Sequence, residues 1–289
     1  MIEIHISVLL FGFSGLFGKF LSLAPLLIVL GRTFFASVIL LLVLRFFKQT
    51  LTVRTKADFW IFAGLGGLLA IHWLTFFHSI QLSTVAIGLI TYSTFPIFVT
   101  FLEPVFFKEK IRALDILTSI SVFVGVFLVL PSFDLNNRIA QGVFWGIAAG
   151  FTFAVLSLLN RKYVRNYPPL VIASYQNIFA TLVFIPLSLF QTWDIKTSDI
   201  FLLIMLGVFC TAGAHLLFIK GLVHIKTQLA SIIASLEPVY GIIFAFILLG
   251  EFPSMRTLSG GLIIIGTTVG ATMLSNASKR QAKNEEIDN

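Results

Sequence analysis

Cysteine and charge are both scarce in this chain, and each scarcity excludes something. A single cysteine, Cys210, among 289 residues leaves no intramolecular disulfide and no multi-cysteine metal site. Only 11% of the residues are charged, against roughly a quarter in soluble domains, so an ordinary water-soluble fold is excluded. No P-loop pattern occurs, which argues against direct coupling to ATP within the chain. The five histidines lack His-Glu-x-x-His spacing, and no serine sits in a Gly-x-Ser-x-Gly elbow. The sequence is therefore read as a non-enzyme with no cofactor and no metal. Met1 to His5 carries Glu3 but no Lys or Arg, and no small-residue cleavage pattern follows, so the first apolar run reads as a span rather than a secretory signal.

What is present is apolar: 57% hydrophobic side chains, 32 phenylalanines and a mean hydropathy of +0.99. A hydrocarbon core about 30 Å thick takes roughly 20 residues per helix, so a chain of this length accommodates about ten spans. Joints such as Leu23-Ala24-Pro25, Tyr167-Pro168-Pro169 and Phe252-Pro253-Ser254 cut the sequence into apolar runs at 4–22, 26–46, 59–79, 85–107, 114–131, 141–160, 169–190, 200–219, 228–249 and 255–275.

The formal charge of +7 reads as a topology signal. One set of alternate loops carries Arg45, Lys48, Arg54 and Lys56, then Lys108, Lys110 and Arg112, then Arg161, Lys162 and Arg165, then Lys220 and Lys226, then Lys279, Arg280 and Lys283. The opposite set carries only Arg138, Lys196 and Arg256. By the positive-inside rule both termini are cytoplasmic and the helix count is even. These basic residues lie in short loops without an aromatic-lined groove, so no nucleic acid is expected as a partner. Short loops fit a plasma membrane protein of the bacterial inner membrane, with a small-molecule solute and membrane lipid as partners, working as a monomer or homodimer.

The two halves resemble each other. Ser93-Thr94-Phe95-Pro96 precedes Glu109 as Ser235-Leu236-Glu237-Pro238 precedes Glu251, with 13 residues from proline to glutamate in both and an offset of 142. The same offset pairs Trp73 with His215 and Lys19 with Arg161. Five spans per copy force the second to enter the membrane from the opposite side. The expected fold class is thus an all-α integral membrane protein of ten transmembrane helices in two inverted five-helix repeats, 1–135 and 136–276, with a charged cytoplasmic tail at 277–289. Inverted repeats favour a carrier over a channel, because exchanging the two arrangements exposes a central site to each face in turn.

Phe11-Gly12-Phe13-Ser14-Gly15 followed by Lys19, Pro25, Arg32 and Ala36, together with Leu236-Glu237-Pro238-Val239 and Leu249-Gly250-Glu251, resembles the EamA family of the drug/metabolite transporter superfamily. The resemblance covers nearly the whole chain, although Phe11 stands where that family usually has tryptophan. It implies a secondary carrier, commonly an exporter of amino acids or other small metabolites, with a central cavity formed mainly by the third, fourth, eighth and ninth spans.

Glu237 is the leading functional residue, because a carboxylate near mid-span costs on the order of 3 kcal/mol unless solvated, paired or protonated. It reads as a proton-coupling or cation-binding group, or as an acid hydrogen-bonded between helices. His72, Trp73 and His215 lie near the centres of the third and eighth spans and read as substrate-binding lining or as core. Histidine titrates near neutral pH, which makes His215 a second proton-coupling candidate, and the Trp73 indole offers a face to a cation. Tyr92 and Tyr240 line the cavity or bridge helices. Pro96 and Pro238 remove backbone donors at mid-span and read as hinges or as packing kinks. Arg32 and Lys19 fall in the outer thirds of their spans. Together they form an anchor for a carboxylate or snorkel to the headgroups, the second reading being preferred for Lys19. Lys220, Glu103, His78 and Asn160 are expected at the membrane interface, while Gln176 and Asn177 are left unplaced. Gly142, Gly146 and Gly150 form a small-residue stripe for packing within the bundle or for a dimer, and Gly266 and Gly270 allow the same reading. The rival functions are an uptake carrier for a vitamin, carboxylate or nucleotide-derived solute, a membrane-embedded enzyme and a structural subunit.

Overall fold

The computed structural model describes residues 2–107, 113–129, 136–267 and 269–270, and among these the chain is helical without strands. The elements are α1 (Ile2–Ser14), α2 (Phe17–Phe20), α3 (Pro25–Phe46), α4 (Lys56–Leu82), α5 (Val85–Tyr92), α6 (Phe95–Phe107), α7 (Ala113–Val129), α8 (Arg138–Tyr163), α9 (Pro169–Ser188), α10 (Thr197–Gly207), α11 (Ala214–Gly221), α12 (Thr227–Ala234), α13 (Glu237–Leu249) and α14 (255–267). Local chemistry sets their ends. Thr55, Thr84 and Asn137 accept hydrogen bonds from the first-turn amides of α4, α5 and α8. Pro25 and Pro169 open α3 and α9, where a missing N–H costs nothing. Gly250, at φ 65°, closes α13 in the left-handed conformation that glycine adopts freely.

Seven helices among the described residues are long and apolar enough to cross a membrane: 2–20, 25–46, 56–82, 85–107, 138–163, 169–188 and 197–221. The remaining apolar helices, α7, α13 and α14, are each shorter, although α12 and α13 together run from 227 to 249. Large apolar side chains such as Phe46, Trp60 and Phe190 stand exposed on the outside, as a lipid solvent permits and water does not.

The prolines at 96 and 238 do not kink a helix interior. Each sits in the first turn of a new short helix, after breaks at 93–94 and 235–236 that differ by the offset of 142. The eighth apolar run is continuous but changes pitch, since α10 and α11 are joined by a π-helical turn, Val208–Gly213. Glu109, Lys108, Lys110, Arg112, the boundary at residue 135 and the tail at 277–289 lie outside the described residues.

α4 packs along α8 and α9, α3 along α9 and α10, and α1 along α11 and α13. Small residues set these approaches. The stripe on α8 packs within the bundle: a Cβ on Gly146 would fall on the Thr91 side chain, one on Gly150 would lie 2.8 Å from the Tyr92 carbonyl, and Ser79 donates 2.6 Å to the Gly142 carbonyl. Gly266 and Gly270 instead have nothing within 4 Å among the described residues. Gly66 lies so close to α9 that a Cβ would reach within 2.9 Å of the Gln176 carbonyl, whereas Gly64 has nothing near it. Gly66→Val is expected to lower stability by about 1–3 kcal/mol through overpacking and Gly64→Ala to leave it unchanged, read by thermal unfolding in detergent. Equal melting of the two variants would contradict this packing.

Candidate functional site

The site is built around the pitch change in the eighth span. A π-helical turn releases carbonyls from the regular ladder, and Arg32 of α3 takes up what it releases: Nε donates to Thr211 Oγ1 at 2.8 Å and Nη2 to the Cys210 carbonyl at 3.3 Å. Its guanidinium lies 3.9 Å from the centroid of Trp73 and 5.2 Å from that of Phe77. Arg32 is wholly buried, with Nη1 lacking a hydrogen-bond partner among the described residues. It therefore does not snorkel: its position near a span end, which suggested that reading, was outweighed by bonds that α3 and the eighth span create only on packing together. Lys19 is likewise held, its ammonium donating 2.8 Å to the Ser83 carbonyl.

The second residue after the π turn is His215, which meets the Trp73 ring edge-on at 5.8 Å. Its Nε2 lies 2.7 Å from Gln176 Oε1, an acceptor, so Nε2 carries the proton, and Gln176 Nε2 donates at 2.5 Å to Asn160. This chain of amides orients the imidazole and leaves its Nδ1 without a partner among the described residues. His72 is fixed separately by an Nδ1 donation of 3.0 Å to the Ala149 carbonyl. Glu237 lies in the first turn of α13, where free helix amides favour negative charge, and its Oε2 is buried and unpartnered. α1 crosses that turn backbone to backbone, because a Cβ on Gly12 would lie 2.8 Å from the Glu237 carbonyl.

A cavity of about 10 Å³ joins His72, Trp73, Tyr92, His215 and Glu237 to Phe11, Ser14, Phe76 and Phe153. That volume is close to the smallest that holds one water, so the site is shut. Tyr240 and Arg32 do not line it. Tyr240 is half-exposed and packs beside Gly12, and Arg32 lies behind Trp73. The first and sixth spans join the four expected ones through Phe11, Ser14 and Phe153. The rings of Phe11 and Phe153 gave no signal among 32 phenylalanines, and of the polar residues behind the site Asn160 was expected at the interface and Gln176 left unplaced.

Two of the residues expected at the interface are buried instead. Asn160 belongs to the amide chain above, and Glu103 forms an ion pair with Arg161, whose guanidinium also lies 4.4 Å from Phe107. Sequence placed Arg161 in a loop, but α8 continues through it. Lys220 does remain largely exposed, 3.7 Å from Glu3, and His78 packs on Trp145. Pro96 and Pro238 stand next to the two helix breaks that flank the cavity.

A larger cavity, about 540 Å³, lies to the side of this centre, lined by Leu30, Phe34, Ile185, Trp193 and Leu203 among others. Its walls are almost entirely apolar and face the lipid side, so it offers volume without chemistry, and the small polar site is the candidate.

A model of the EamA-like transporter family matches residues 1–130 and 140–273. The chain belongs to the EamA-like transporter family. It is 25% identical to the uncharacterized transporter YxxF of Bacillus subtilis, covering 100% of this chain and 94% of that one. It is 27% identical to an S-adenosylmethionine uptake transporter of Rickettsia conorii, over 82% and 79% of the two chains. A solved crystal structure superposes with a TM-score of 0.71 at 16% identity, covering 96% and 97% of the two chains, which shows a shared fold. This EamA-like protein is accordingly a multi-pass membrane transporter.

In this EamA-like transporter Gln176 serves two buried partners at once. Gln176→Leu would strand the His215 Nε2 donor and the Asn160 acceptor, at about 1–3 kcal/mol. A lower melting temperature in detergent is expected, and an unchanged one would contradict the amide chain.

Proposed function

We propose that this chain is a secondary carrier that moves a small solute bearing a positive centre by alternating access, and that its ten helices form two inverted repeats of five, with both termini cytoplasmic. One observation carries the substrate reading: Glu237, whose Oε2 is buried without a partner among the described residues, faces a cavity whose other walls include Trp73, Phe76, Tyr92 and Phe153. A carboxylate neutralises a cation, and aromatic faces attract it further by about 2 kcal/mol once water is excluded. The name carried by the rickettsial relatives, S-adenosylmethionine uptake transporter, describes a cationic solute of this kind.

The helix breaks beside Pro96 and Pro238 support the transport cycle. They divide two spans into short helices at positions related by the repeat, so each outer half can tilt without bending a continuous hydrogen-bond ladder. The two sides are held shut differently. Near the ends of α4 and α5, Lys19 donates to Ser83 and Glu251 accepts from the Val85 amide. Near the ends of α6 and α8, Glu103 pairs with Arg161. Opening one set while the other holds is alternating access. Export, which the family resemblance implies, and uptake, which the relatives' name implies, use the same geometry, and the solute and proton gradients select between them.

Proteoliposomes containing the purified chain test this reading. Labelled S-adenosylmethionine is expected to exchange saturably, and Glu237→Gln to reduce that exchange at least tenfold and remove its dependence on an imposed pH gradient. Full, pH-dependent exchange by the variant would reject the role of Glu237. Saturable exchange of neutral amino acids alone would reject the cationic solute and favour the amino-acid reading.

A further inference from the structure

A second built pocket lies apart from the transport site, on the membrane face where α1 begins, α3 ends and α4 starts. The segment after α3 and the segment between α8 and α9 meet there. The Arg54 amide donates 2.8 Å to the Tyr167 hydroxyl, which donates 2.7 Å to Asp58. Between them is a cavity of about 400 Å³, into whose walls come Lys48, Arg54, Gln49, Thr50, Thr52 and Asn166. Two cations and five neutral polar side chains, Tyr167 included, surround it, and no acidic residue among those described lines it. Asp58 is already engaged by Tyr167 and Thr55.

Two further features point to a ligand with both a charge and a tail. Lys48 is the one non-glycine residue with positive φ (53°) among those described, and it stands in the C-terminal turn of α3, where glycine fits best. A lysine kept in a glycine position places an ammonium at the pocket. Beside it a second cavity of about 470 Å³ shares Val53 and Arg54 and is lined by Lys56, Phe59 and Trp60. Trp60 is 71% exposed at the start of a spanning helix, the level at which indoles meet the headgroup region. A free anion needs only the first cavity, whereas the junction of a basic polar cavity with an aromatic, lipid-facing one at Arg54 suits a headgroup joined to acyl chains.

We propose that this pair of cavities is a binding site for an anionic phospholipid, with the phosphoryl group between Lys48 and Arg54 and the first acyl carbons against Phe59 and Trp60. The site holds the end of α3 to the start of α4, so occupancy stabilises the fold from the membrane surface.

The test is thermal unfolding of the purified chain in detergent micelles with added phosphatidylcholine or phosphatidylglycerol. Phosphatidylglycerol is expected to raise the melting temperature of the wild type and of the control Lys196→Gln beyond the effect of phosphatidylcholine. The double variant Lys48→Gln/Arg54→Gln should keep less than half of that rise; its backbone bond from residue 54 to Tyr167 is untouched. The charge-conserving pair Lys48→Arg/Arg54→Lys should keep most of it, which guards against a simple folding defect. An equal rise in the charge-removing variant overturns the site. Inorganic phosphate reproducing the whole rise in the wild type overturns the lipid and leaves a free-anion site.

Discussion

Hydrocarbon offers no hydrogen bonds, so a buried guanidinium persists only where the protein itself supplies acceptors. Arg32 is that case, and the centre of this transporter is arranged around it. The eighth span abandons regular pitch at Val208–Gly213 and thereby presents Thr211 and the Cys210 carbonyl to the arginine. Trp73 covers the other side of the same guanidinium and so becomes a fixed wall of the cavity. His215, the second residue after the π turn, is placed by the same irregularity. Sequence, local helix geometry and site are thus linked through one side chain that does not itself touch the cavity.

The consequence for function is a site that is polar, pre-oriented and closed. Amide bonds from Gln176 and Asn160 fix His215, a backbone carbonyl fixes His72, and the first turn of α13 carries Glu237. Three buried polar atoms there, on Arg32, His215 and Glu237, have no partner among the described residues. In a structural core such groups are costly. Two of them, on His215 and Glu237, belong to the wall of one small cavity, and Arg32 stands behind Trp73; such a pair is the pattern expected where a solute or a proton completes the bonding. The lateral apolar cavity, although much larger, contains almost no polar surface to recognise anything.

Much of the fold was legible because lipid enforces strong patterning. Apolar run length marked the seven helices long enough to span, out of ten expected, and prolines at equal offset stand beside the two helix breaks. Trp73, His215, His72, Tyr92 and Glu237 came together as polar or aromatic residues on otherwise aliphatic spans. Three things were hidden for physical reasons. The π turn leaves no composition signal, so the burial of Arg32 could not be anticipated, and a position near a span end left anchoring and snorkelling equally open. Asn160, Glu103 and Arg161 stand near span ends too, yet Glu103 and Arg161 pair across 58 positions of sequence and Asn160 is buried by its bond to Gln176 of the next helix. Phe11, Phe76 and Phe153 are chemically identical to the lipid-facing phenylalanines, and only packing separates the two sets.

The proposed transport cycle requires the central site to open to each face in turn, and Ser14, a buried residue of its wall, reports on that directly. With Cys210 replaced by serine and Ser14 by cysteine, a membrane-impermeant thiol reagent is applied to oriented vesicles from one side and then, in separate samples, from the other. Labelling from either side, slower than at an exposed surface position, is the predicted result. Labelling from one side only, or from neither, in protein that still transports would contradict alternating access at this site.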